Sequence, residues 1–150
     1  MGLDMYLFKT QKNKIVEFIN QLRDAVDADT SVCPCIEGYS LVLMDANEMH
    51  HVDKLGPAVS WIKAYDIHNW FSRNVLRNAP GKEDNQLGLV TSRQLQHLIT
   101  WCREQMQGLS LAITNQAYTY MELFRTCKEA QYLLDTTDFA TTYILYFAYW

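Results

Sequence analysis

The sequence predicts an α+β fold: a small, mostly antiparallel sheet of about four strands packed against about four helices, in one globular domain over residues 1–150. Three observations predict it. Leu3, Met5 and Leu7 alternate with Asp4, Tyr6 and Phe8, and residues 141–149 are β-branched and aromatic, so both ends read as strands. Between them, apolar residues recur at helical spacing in four stretches. Finally, 150 residues that are 49% hydrophobic can bury a core without disulfide or metal staples.

Each element follows in order. Residues 12–26 carry Ile15, Ile19, Leu22 and Val26 on one helical face, flanked by Lys14, Glu17, Gln21 and Arg23. Residues 27–38 hold Thr30, Ser31, Pro34 and Gly38 and read as a loop. The compact apolar run 39–44 suits a strand, and the polar run 45–57 has room for one short helical turn. Gly56-Pro57 is both a breaker and a good helix start. From there to about Leu76 the sequence predicts the most aromatic helix of the chain, with Trp61, Ala64, His68, Phe71 and Val75 as one stripe, broadened by Tyr65, Ile67 and Trp70.

Pro80-Gly81 marks a turn over 78–85, and residues 86–90 suit a short strand. Thr91 or Ser92 then caps a helix whose face is Leu95, Leu98, Ile99, Cys102 and Met106, with Gly108 at its end. Residues 109–114 follow neither period. A last helix is predicted over 118–134, with Tyr120, Phe124, Cys127, Gln131 and Leu134 on one side, then a turn at 135–138 and the closing strand. There is no internal repeat.

Composition excludes several classes. Six glycines and three prolines exclude collagen-like or linker material. The longest apolar run, residues 143–150, is far too short for a membrane span. The first residues lack a basic segment followed by an apolar one, and Tyr6 breaks the myristoylation pattern, so a cytoplasmic protein is expected. Cys33, Cys35, Cys102 and Cys127 then read as free thiols, the last two on apolar helix faces.

Charge is unevenly laid out. Residues 24–53 contain Asp24, Asp27, Asp29, Glu37, Asp45, Glu48 and Asp53 and no lysine or arginine, a formal charge of -7. The other 120 residues hold 13 bases and ten acids, or +3. Such a segment repels phosphates, which argues against direct nucleic-acid binding, and suits a basic protein surface.

Catalytic motifs are sparse. No glycine-rich phosphate loop and no G-x-S-x-G elbow occurs. Cys33, Cys35, His50 and His51 are the residues from which a zinc site could be assembled, but C-x-C is tighter than usual and adjacent histidines on a helix diverge, so no metal and no cofactor is expected. His68 reads as a core or boundary histidine before it reads as a base. Cys102, between Trp101 and Arg103, has no evident activating partner. Four tryptophans (Trp61, Trp70, Trp101 and Trp150) exceed what one core of this size needs, so one or two are expected outside as interface anchors.

Three blocks form a longer pattern. Residues 1–7 read M-G-L-D-M-Y-L, residues 61–71 read W-I-K-A-Y-D-I-H-N-W-F, and residues 146–150 read Y-F-A-Y-W. In order and spacing, over nearly the whole chain, they resemble a family of small bacteriophage and prophage proteins. Members usually open with that heptapeptide, carry W-R-K-A-N-x-I-H-x-W-F centrally and end in a strand like Y-Y-Q-S-S-W. The resemblance implies a phage or prophage origin and a bacterial cytoplasm; it implies no activity. The chain departs from the pattern at Ile62, Tyr65 and Phe147-Ala148-Tyr149, losing polar groups while Trp61, Lys63, His68 and Trp70 remain.

That balance favours a binder over an enzyme. The first reading is a non-catalytic accessory protein that binds and inhibits a host protein of basic surface, of an anti-defence or anti-CRISPR type, through the acidic face of Asp24, Asp27, Asp29, Glu37, Asp45, Glu48 and Asp53. The alternative is a small-ligand or nucleotide pocket with Trp61, Lys63, His68 and Trp70. The second alternative is a hydrolase, for which no carboxylate cluster can be assembled from spacing. The sequence sets neither the target nor the oligomeric state.

Overall fold

A computed structural model of the chain describes residues 3–25, 41–42, 55–76 and 86–149. The elements run β1 (Asp4–Gln11), α1 (Ile15–Ala25), β2 (Leu41–Val42), β3 (Val59–Ile62), α2 (Tyr65–Phe71), β4 (Gln86–Val90), α3 (Ser92–Gln107), α4 (Thr114–Thr136) and β5 (Thr142–Tyr149). The fold is α+β, as the sequence predicts. The strands form one sheet in the order β2-β4-β5-β1-β3, and every pairing is antiparallel. Among the described residues, no helix is long and apolar enough to cross a membrane.

The chain divides into two compact units, residues 1–90 with 139–150, and residues 91–138. The first holds the sheet. Its centre is the β1–β5 ladder, eight pairs from Asp4↔Tyr149 to Gln11↔Thr142, so the two strands predicted furthest apart in sequence are neighbours. Period two sends alternate residues to opposite faces. Tyr6, Phe8, Leu87, Leu145 and Phe147 lie on one face and bury against Phe18, Ile19 and Leu22 of α1. Met5, Leu7, Val59, Trp61, Ile144, Tyr146 and Val90 occupy the other and are also buried. Burial on both sides explains why β1 and β5 read as near-continuous apolar runs at their centres.

Helix α1 begins as a 3-10 turn at Lys12–Lys14 and keeps the predicted face, with Ile19 and Leu22 buried. Lys12 lies over the Tyr143 ring at 5.0 Å.

The prediction for residues 57–76 fails. The stretch expected as a single helix from Pro57 to Leu76 contains β3. Val59 and Trp61 are buried while Ser60 and Ile62 are exposed, an alternation that fits a strand, and β3 pairs with β1 in the register Met5↔Trp61. The aromatic spacing from Trp61 to Ala64 and His68 imitates a helical stripe, but Trp61 belongs to the sheet. Gly56 (φ 69°) takes a left-handed turn ahead of the strand, and Lys63 (φ 55°) takes another after it. Helix α2 therefore starts at Tyr65, and a five-residue π-helical turn, Ser72–Leu76, continues it.

The second unit is the pair α3 and α4. Thr91 caps α3 as predicted: its hydroxyl accepts from the Gln94 amide at 3.2 Å, and the Gln94 side chain accepts from the Thr91 amide at 2.8 Å. Leu95, Leu98, Ile99 and Cys102 are buried, as the spacing predicts. The face predicted for α4 is displaced. Leu123, Thr126, Cys127, Ala130 and Leu133 are buried, whereas Phe124 and Gln131 are exposed. Helix α4 also starts at Thr114, a turn earlier than its apolar period suggests.

Candidate functional site

Three buried polar side chains of the sheet-bearing unit, His68, Ser72 and Tyr146, lie together. Tyr146 sits on central strand β5, paired with Leu7 on one side and Gly88 on the other. Gly88 has no side chain to hold the helical layer away. A Cβ there would lie 2.8 Å from Val75 Cγ1 and 2.8 Å from Leu76 Cδ2, so the π-turn rests directly on β4. That approach sets α2 over Tyr146.

The resulting geometry is tight. Tyr146 Oη lies 2.7 Å from His68 Nδ1, and Ser72 Oγ lies 3.4 Å from Nε2. Both ring nitrogens thus meet protein hydroxyls, and either neutral tautomer satisfies the pair. Ser72 reaches the ring from the following turn, where its amide is shared between the carbonyls of His68 and Asn69. Phe71 stacks on Tyr146, and Trp61 and Trp70 approach Phe71 at 5.8 and 5.1 Å. His68, Ser72 and Tyr146 are 2%, 5% and 0% exposed. Burial pushes the Tyr146 phenol well above its usual range, so the hydroxyl stays protonated. A histidine between two hydroxyls has the form of an acid–base device, but closed off this completely it acts as a polar pin between helix and sheet.

The sequence-predicted residues can now be placed. Trp61, His68 and Trp70 belong to this buried aromatic cluster, while Lys63 is exposed on the turn between β3 and α2. Lys63 is tied down by its backbone, its amide donating to Leu3 O at 2.7 Å. The four residues of the expected ligand pocket therefore do not open together onto solvent. Ile62 and Tyr65 are exposed beside Lys63.

No family model, curated protein or solved structure matches the chain.

Of the acidic residues, Asp24 is exposed in the last turn of α1. Asp27, Asp29, Glu37, Asp45, Glu48 and Asp53 lie outside the described residues, as do Cys33, Cys35, His50, His51 and Trp150. Trp101 is half-buried. No group of three or more acidic, histidine or cysteine side chains among the described residues could hold a metal ion. Cys102 and Cys127 are free and buried, and burial, with Cys127 adding to it, pushes the Cys102 thiol up to about 12. Such a thiol is no nucleophile at neutral pH.

Two partners of His68 escaped the sequence reading. Tyr146 is 78 residues away, and no local signal links them. Ser72 stands at i+4, a spacing that does mark a candidate contact on a helix.

Proposed function

We propose that the protein is a non-catalytic binding protein of the phage and prophage type, which captures and inhibits a basic host protein through its acidic segment. One observation carries the reading: seven carboxylates and no lysine or arginine over residues 24–53, against a formal +3 elsewhere. A block of one sign raises association rates with a surface of the opposite sign and rejects polyanions. The burial of His68, Ser72 and Tyr146 supports binding over hydrolysis, since the most enzyme-like constellation among the described residues is out of a substrate's reach.

Tagged protein expressed in a bacterial host should retain a basic protein that elutes as salt rises, because screening shortens the reach of the acidic segment. Reversing Asp27, Asp29, Glu48 and Asp53 to lysine should abolish capture while the far-ultraviolet circular dichroism stays unchanged. Undiminished capture by that variant would refute the acidic-segment reading.

A further inference from the structure

Helix α4 is apolar on two opposite sides. Its inner side carries Leu123, Cys127, Ala130 and Leu133. Its outer side carries Tyr118 (74% exposed), Met121 (59%) and Tyr132 (68%), with Phe124 at the margin. Along that side Tyr118, Met121, Arg125, Lys128 and Tyr132 follow one another in steps of three and four. This is the seam spacing of two helices packed along their length. A monomeric soluble helix normally presents polar residues there.

The charges on this face identify what fits it. Arg125 reaches Glu122 at 3.0 Å and Glu129 at 3.5 Å, and Lys128 lies over the Phe124 ring at 4.9 Å. Two acids and two bases cancel over eight residues, so the face attracts neither a basic nor an acidic surface from a distance. It does match itself. With two copies of α4 antiparallel about a two-fold axis at Arg125, Tyr118 falls opposite Tyr132 and Glu122 opposite Lys128, and symmetry makes each match twice. The two Arg125 side chains meet near the axis already compensated by their own glutamates. Shifting one copy by a single residue would set Glu122 against Glu129 and lose both matches.

We infer that the outer face of α4 is a self-association surface, on which a second copy of the chain docks antiparallel with Arg125 at the two-fold axis. The inference stands on the exposed face alone and is independent of the proposed function. The seam from Tyr118 to Tyr132 spans about 21 Å, fourteen rises of about 1.5 Å each. One helix face of that length falls short of the ~800 Å² per partner of a standard interface, so the dimer is weak and concentration-dependent.

Sedimentation velocity on the full chain tests it. A concentration series should show a reversible monomer–dimer equilibrium, and Tyr118→Glu, at an exposed site that leaves the fold intact, should shift it to monomer. Lys128→Glu and Glu122→Lys should each weaken self-association about tenfold, by turning two attractive pairs into two repulsive ones. Mixed one to one, these two variants should associate again. One chain then carries an acid at both positions 122 and 128, the other a base at both, so at these two positions every acid faces a base. A chain that stays monomeric throughout, a dimer indifferent to Tyr118→Glu, or a mixture no tighter than its components would each overturn the inference. So would capture of a different protein on this face by a chain that is itself monomeric.

Discussion

Phe71 and Tyr146 lie face to face, ring centroids 4.0 Å apart and planes 6° from parallel, although 75 residues separate them. The stack joins α2 to the central strand β5, and the Tyr146 hydroxyl carries the same junction on to His68. Dispersion and a buried hydrogen bond therefore act through one side chain.

Tyr146→Phe separates the two contributions. The ring and its stack remain, and the hydroxyl that meets Nδ1 of His68 is lost. Removing a partner from a buried polar group costs about 1–3 kcal/mol. The urea midpoint should fall by that equivalent with an unchanged denaturant slope, which indicates a lost interaction and not a reorganised fold.

Gly88→Ala should destabilise the sheet unit by about 1–3 kcal/mol through overpacking against Val75 and Leu76. Val75→Ala removes Cγ1, one of the two obstructing atoms. The double variant should therefore be more stable than the sum of the single effects predicts, and a thermodynamic cycle on thermal melts measures the coupling. Strict additivity would mean that the approach of the π-turn to β4 is not what Gly88 permits.

Cys102 gives a pH dependence. Its thiol is raised from 9.0 to about 12 in the folded chain, chiefly by burial. The folded state holds the proton more tightly, so the contribution to stability is complete below pH 9 and is lost as pH rises from 9 toward about 12. Native Cys102 should accordingly react with iodoacetamide about two to three orders of magnitude more slowly than in the denatured chain. Peptide mapping by mass spectrometry at several pH values checks both the rate and its trend.

The two long helices differ at their starts, and the difference is testable. Thr91 closes a reciprocal capping box on α3, whereas Ile113, in extended conformation ahead of α4, makes no side-chain cap. Thr91→Ala should cost about 1 kcal/mol, and Ile113→Asp should add about 0.5–1 kcal/mol by capping α4 and placing a negative charge at its N-terminus. Ile113 is 48% exposed, so little packing opposes the change. Calorimetric melts should move in opposite directions.

Local chemistry alone fixed much of this protein. The alternation at Leu3–Phe8, the β-branched run before Tyr149, the Thr91 cap and the α3 face all survive in the structure, because each rests on a period or a capping bond completed within a few residues. Tertiary structure decided the rest. Val59–Ile62 became a strand because β1 offers it a ladder in the register Met5↔Trp61, which no periodicity within 57–76 reveals. His68 acquired its hydroxyl partner from a strand 78 residues on, where only folding supplies proximity. Helix α4 carries large apolar residues on two sides, so its sequence holds two competing stripes, and packing determined which one was buried and which was left facing outward.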